Sequence, residues 1–174
     1  QTTTAARANI TYDLKGNSKE IEELRQKIST AAGTDFNVLI QGGKETDREL
    51  VAHLIHLQSN KRGKPFVQVD CAAISQDELC GCPSRLSKLE EANQGTLFLN
   101  NIAQLDLPAQ AIISQALADN EFCRSNNDVK IKLDIRVMAA SGEDLEERVR
   151  AKTFREDLYY RLKEITIKLV NGKW

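Results

Sequence analysis

The chain has 174 residues and a mass of 19.5 kDa, which is room for one domain with a sizeable core. Hydrophobic residues make up 41% and charged residues 28%, a globular mix that excludes fibrous and disordered classes. Its 24 Lys and Arg stand against 25 Asp and Glu, a net charge of −1, which excludes the strong positive field that carries nucleic-acid binding by itself.

In chain order, residues 1–17 are polar and read as an extended linker, beginning Gln1-Thr-Thr-Thr-Ala-Ala-Arg7 without an initiator Met. We therefore expect a segment of a longer chain, with no signal peptide and no membrane span, since no apolar run approaches ~20 residues. Asn17-Ser18 is a helix cap, and Ile21, Leu24 and Ile28 form an apolar stripe at helical spacing that Gly33-Thr34-Asp35 ends. Phe36–Ile40 is a short apolar strand closed by Gly42-Gly43. Residues 46–58 predict a second helix with Leu50, Leu54 and Leu57 on one face, and Pro65–Asp70 a second strand. The run Lys61-Arg62-Gly63-Lys64 between them reads as solvated surface.

Residues 84–93 predict a helix, Thr96–Leu99 a buried strand, and 107–119 a helix carrying Ile112, Ile113, Ala116 and Leu117. Phe122–Arg124 and Val129–Leu133 flank Ser125-Asn-Asn-Asp128 and predict a hairpin. A long apolar strand follows over Asp134–Ala140, then short helices at 143–151 and 154–162, then a last strand over Ile165–Val170. Strands alternating with helices predict an α/β fold: a mostly parallel five-stranded sheet covered on both faces, three layers in all.

The four cysteines, Cys71, Cys80, Cys82 and Cys123, lack a Cys-x-x-Cys pair, so their spacing does not predict a metal site. Reduced thiols in a cytoplasmic protein are the expectation. His56 and Cys71 read as packing residues.

The strand–turn–helix at Gly42-Gly43-Lys44-Glu45-Thr46-Asp47-Arg48-Glu49 is where a phosphate-binding loop would sit. Such a loop needs open backbone N–H groups, a Lys at the helix start and a hydroxyl for a metal ion. Glu45 and Asp47 stand where open backbone is wanted, and two carboxylates repel a phosphate. Taken alone, the segment is a weak motif and reads as an ordinary strand-to-helix turn.

Several stretches share one further pattern: Gly95-Thr-Leu-Phe-Leu-Asn-Asn-Ile102, Phe154-Arg-Glu-Asp-Leu-Tyr-Tyr-Arg-Leu162, Pro65-Phe-Val-Gln-Val-Asp-Cys-Ala-Ala-Ile74, Glu49-Leu-Val-Ala52, Ile55-His56 and Asp134-Ile-Arg-Val-Met-Ala-Ala140. In order and spacing, from about Leu14 to Leu169, the chain resembles the AAA+ domain of sigma-54-dependent transcription activators, the bacterial enhancer-binding proteins. The resemblance implies a P-loop NTPase-like core over residues 18–174, without the small helical lid, and with receiver-like and DNA-binding domains outside the chain.

The departures from the family pattern set the functional expectation. Against the family loop Gly-Glu-Ser-Gly-Thr-Gly-Lys-Glu, the residues Gly42, Thr46 and Glu49 match, Glu45 and Asp47 replace glycines, and Arg48 replaces the Walker A Lys. Gly42, Gly43, Thr46, Arg48 and Glu49 are thus a degenerate nucleotide-binding set. Asn100 and Asn101 replace the Walker B Asp and Glu, and an amide can neither neutralise a metal ion nor accept a proton from water. Ser141-Gly142 replaces the Thr-Asn sensor. The Gly-Ala-Phe-Thr-Gly-Ala loop that touches sigma-54 belongs between Gly81 and Gly95, where only the 13 residues Cys82–Gln94 stand. Arg155 and Arg161 match arginine fingers that reach across a subunit interface.

The resemblance therefore implies a degenerate regulatory and self-association domain with no catalytic residue, no metal and no ATP cofactor. We expect a monomer or dimer without ligand, and a partner in RNA polymerase carrying a housekeeping sigma factor. DNA would be bound through a separate domain. One alternative is a cyclic di-GMP-sensing domain of the biofilm (VpsR) or flagellar (FleQ) regulator type; the flagellar type uses a Leu-Phe-Arg-Ser segment where this chain has Thr11-Tyr12-Asp13-Leu14. A second alternative is an ATPase that still works.

Overall fold

A computed structural model describes residues 16, 18–81, 86–123 and 129–169. Helix α1 (Lys19–Ala32) starts on Ser18, whose hydroxyl accepts from the Ile21 N–H at 3.3 Å, satisfying one of the donors a helix start leaves open. Its buried face is the predicted stripe Ile21, Leu24 and Ile28, extended by Ala31 and Ala32. The other elements are β1 (Val38–Gly42), α2 (Glu45–Gln58), β2 (Phe66–Asp70), α3 (Gln76–Cys80), α4 (Lys88–Glu91), β3 (Thr96–Asn100), a 3-10 turn (Ile102–Gln104), α5 (Leu107–Asp119), β4 (Glu121–Cys123), β5 (Lys130–Lys132), β6 (Arg136–Ser141), α6 (Leu145–Arg150), α7 (Glu156–Leu162) and β7 (Ile165–Leu169).

Five strands form one parallel sheet in the order β2-β3-β6-β1-β7, and β4 and β5 form a separate antiparallel pair. Successive side chains of the central strands go to opposite faces. Leu39, Leu97, Leu99, Val137 and Ala139 pack with α3 to α7 in one core. Val38, Ile40, Phe98, Met138 and Ala140 pack with α1 and α2 in the other. The three-layer α/β/α arrangement with a five-stranded parallel sheet is thus present. No helix among the described residues is long and apolar enough to cross a membrane.

Strand β3 is buried at all five positions and β6 at all six, as parallel strands covered on both faces must be. Gly95 leads into β3 against the backbone just before β2: a Cβ there would lie 2.1 Å from the Pro65 carbonyl oxygen. That oxygen accepts from the Thr96 N–H. Arg136, at the start of β6 and 2% exposed, donates to the carbonyls of Ala31 and Phe36 and so ties the end of α1 to the sheet.

Several boundaries differ from the sequence reading. Phe36 lies outside β1 and is 53% exposed, because Asn37 is used as a brace instead. Its Oδ1 accepts from the Val137 N–H and its Nδ2 donates to the Arg161 carbonyl. The helix expected over 84–93 is a single turn, 88–91, started by a Ser87–Glu90 capping box. Lys61 of the basic run is not simply solvated, since its Nζ lies 3.5 Å from Asp134 Oδ1. The Ser125–Asp128 turn, Val170, Cys82, the Thr11–Leu14 stretch and all of the 1–17 linker but Gly16 lie outside the described residues.

Candidate functional site

The C-terminal ends of β1, β3 and β6 are adjacent in the sheet order, the edge where open α/β sheets hold their ligands. Chain leaves β1 through Gly42 (φ +83°) and Gly43 (φ +69°), a left-handed pair that glycine adopts without penalty. The backbone then enters α2 with Lys44 as N-cap, and Lys44 makes no side-chain capping bond. Glu45 and Thr46 are exposed, and Asp47 and Glu49 are half-buried.

Arg48, in the first turn of α2, is only 5% exposed. Its guanidinium folds back over the loop. Nη1 donates to the Gly43 carbonyl at 2.9 Å and the Gly42 carbonyl at 3.4 Å. Nε donates to Asn100 Oδ1 at 3.2 Å, and Nη2 to Asn101 Oδ1 at 3.3 Å. Among the described residues it takes part in no ion pair. From the third strand end, a Cβ added to Gly142 would sit 3.3 Å from Arg48 Nη1. The sequence-predicted residues Gly42, Gly43, Arg48, Asn100 and Asn101 therefore meet in one hydrogen-bonded cluster, whereas no hydrogen bond draws Thr46 or Glu49 into it.

Two amides complete the cluster. Asn100 is 1% exposed, and its Oδ1 also accepts from the Asn101 N–H at 3.0 Å. Its Nδ2 is buried without a partner. Asn101 is left-handed (φ 56°, ψ 44°), a conformation that Asn tolerates better than most side chains. It donates from Nδ2 to Asp70 Oδ1 at 3.1 Å and to Glu45 Oε1 at 3.4 Å. Asp70 was not singled out from the sequence; its place at the end of β2, in register with Asn100, is the signal that could have found it. Ser141 turns away: its hydroxyl donates to the Glu143 carbonyl at 2.9 Å and accepts from the Glu143 N–H.

Arg155 is the N-cap residue of α7 and Arg161 lies in its last turn, and neither hydrogen-bonds to this cluster. The guanidinium of Arg155, matched to an arginine finger, has a carboxylate partner within its own chain. Its Nε and Nη2 form a two-pronged pair with Asp157 at 3.0 and 2.9 Å. That hydrogen bond is the main cause that holds the Asp157 carboxyl down at about 2. The Arg155 N–H donates to Oε1 of Gln110 at 2.8 Å. Gln110 is fully buried, and its Nε2 donates to the carbonyls of Leu105 and Thr153. No sequence pattern flagged Gln110, because one polar residue on a helix face carries no periodic signal. Arg161 is exposed, and its guanidinium has no partner among the described residues.

The remaining titratable groups are packed away from the cluster. His56 is buried. Its Nε2 must donate to the Lys64 carbonyl (3.1 Å), which leaves Nδ1 to accept from the Thr96 hydroxyl at 2.9 Å. Burial pushes its pKa below the ordinary value. Burial also pushes the thiols of Cys71 to about 12 and Cys80 to about 11, so both are protonated and unreactive at neutral pH. An open groove of about 950 Å³ lies at the other edge of the sheet, but its lining sets Lys61, Lys64 and Lys132 against Asp119, Glu121 and Asp134.

Comparisons with known proteins agree with this geometry. A family model described as the Sigma-54 interaction domain matches residues 14–168. The anaerobic nitric oxide reductase transcription regulator NorR of Salmonella paratyphi C is 39% identical over 160 residues, which is 84% of this chain and 32% of that protein. The transcriptional regulator NtrC of Proteus hauseri is 36% identical over 170 residues, 90% of this chain and 36% of that protein. The chain thus spans about a third of the length of these relatives. NtrX from Brucella abortus, solved in complex with ATP, superposes with a TM-score of 0.87 at 34% identity, covering 91% of this chain and 37% of that one. A P-loop NTPase domain of a sigma-54 transport activator from E. coli shares the fold, with a TM-score of 0.64 at 19% identity, over 90% of this chain and 98% of that one. With a parallel sheet in AAA+ order and the match running through nearly every element, the chain belongs to the sigma-54 interaction domain family.

Proposed function

We propose that this chain is the central regulatory and self-association domain of a bacterial transcription regulator, one that keeps the activator fold but neither hydrolyses ATP nor contacts sigma-54. The observation that carries the reading is the Arg48 cluster. Phosphoryl transfer needs a cation that can move against the phosphates, a carboxylate on the metal ion and a group that orients the attacking water. Here the cation is spent on four neutral oxygens. The two side chains at the end of β3 are amides, one of them held by Asp70 and Glu45.

The sigma-54 contact has little room. Leu89 and Ala92 of the α4 segment are buried in the core, and Ser87 already caps α4. That leaves Gly81 to Leu86 between α3 and the cap. We place the whole protein's DNA contact in another domain, its polymerase partner in the housekeeping-sigma form, and its work in the cytoplasm. Cyclic di-GMP sensing is the alternative, drawn from regulators of this type that also lack the sigma-54 loop.

Phosphate release by the purified domain tests the main reading. We expect no release above a protein-free blank, since loss of the water-activating group alone costs ~10²–10⁴ in rate. ATP-dependent release that Arg48→Ala abolishes would refute it. Titration with ATP and with cyclic di-GMP separates the alternatives, and saturable cyclic di-GMP binding would favour the sensing domain.

A further inference from the structure

We propose that Arg48 is the pocket's own ligand: the ends of β1 and β3 form an oxygen cage for a cation, with the end of β6 packed alongside, and the guanidinium of Arg48 fills it permanently. The inference rests on the non-hydrolytic reading above and adds what occupies the site. A phosphate cradle turns backbone N–H donors inward. This loop instead presents two carbonyl oxygens, Gly42 O and Gly43 O, and β3 adds Asn100 Oδ1 and Asn101 Oδ1. The polarity of the pocket is reversed, and an anion placed there meets four acceptors.

Asn101 extends the reversal outward. Its amide donates to Asp70 and Glu45 on one side and accepts from Arg48 on the other. Two carboxylates therefore face the guanidinium through one polarised amide, without touching it. Asn100 leaves its own Nδ2 buried and unpaired while its Oδ1 takes both Arg48 Nε and the Asn101 N–H. Burying an unmade donor is costly, and the oxygen it presents to Arg48 is what that orientation supplies. Gly142 keeps the third strand end close enough that even a methyl group would crowd Nη1. One guanidinium thus joins the ends of β1 and β3 beside the end of β6, the junction a nucleotide would have to open.

Two measurements test this. In the intact domain, the Arg48 Nε–H is expected as an NMR cross-peak protected from exchange with water, absent from the Arg48→Lys spectrum and unmoved by saturating ATP or inorganic phosphate. An Nε–H that exchanges as fast as those of exposed arginines, or that shifts with either ligand, overturns the proposal. In Arg48→Ala we expect the melting temperature to fall by about 5–10 °C. Millimolar guanidinium chloride should recover part of this, equal sodium chloride none, and the wild type should gain nothing. Equal responses of variant and wild type to guanidinium overturn it. If Arg48→Ala does not fold, the NMR result alone decides. Phosphate release from ATP by a domain that keeps the protected peak would instead refute the non-hydrolytic reading and leave the cage standing.

Discussion

Arg48 shows how far single residues were legible. Arg48, Asn100 and Asn101 are plain in the sequence, at positions where the family resemblance sets a Lys and two acids. The partners of Arg48 are not, because the Asn100 acceptor lies 52 positions away and the two nearest carbonyls belong to glycines with no side-chain signal. Arg's planar fork of five donors meets four oxygens here, one more than the three donors of a Lys ammonium can serve. His56 was rightly read as packing, and its geometry gives a pH dependence. The folded pKa is lowered, so the unfolded chain binds more protons between that lowered value and 6.5. The contribution of neutral His56 is complete above 6.5 and falls as the solution is acidified through that window. We expect the melting temperature to drop from neutral pH to about pH 5, with a shallower drop in His56→Gln. Asp157 does not confuse the measurement: its folded pKa of about 2 lies below the unfolded 3.8, so its contribution is complete above that value and falls only at lower pH.

Elements were legible in proportion to their length and burial. Helix α5 spans 107–119 as read, with Asp106 accepting from the Ala109 N–H at 2.9 Å as its cap and Pro108 in the first turn. The five residues of α3 and the three of the 3-10 turn are too short to show a helical period. At this scale Gln110 is the critical joint. It holds the approach to α7 from both sides through the Thr153 carbonyl and the Arg155 N–H. Gln110→Leu leaves those part-buried groups without their partner, and we expect a loss of roughly 1–2 kcal/mol in urea unfolding. Faster amide exchange at Arg155 should accompany it. Gly95→Ala tests the tightest backbone approach. Its methyl has no space before the Pro65 carbonyl, so β2 and β3 must separate at their entry, at a cost of more than about 2 kcal/mol.

For the whole molecule, the parallel sheet and its two covered faces follow from buried apolar runs separated by helices, which is why the architecture was readable, whereas the strand order came only with the structure. Assembly was not, because it depends on which charges are already satisfied. The exposed Arg155–Asp157 pair is of the kind that contributes little and exchanges partners readily. We expect a monomer or dimer by light scattering without ligand, and weaker self-association in Arg155→Ala. A ligand-free hexamer, or an Arg155→Ala protein that associates like its parent, would count against this. The strand order also carries a consequence for biosynthesis. Strand β1 sits between β6 and β7, and its residues meet partners 100 and 127 positions further along. On the ribosome, β1 therefore emerges long before either neighbour exists, and α1 and α2 have only half a platform to lie on. Distant pairing slows folding, so nascent chains ending before Arg136 should be held by chaperones or digested by protease, and protection should arise in one late step as β7 leaves the exit tunnel.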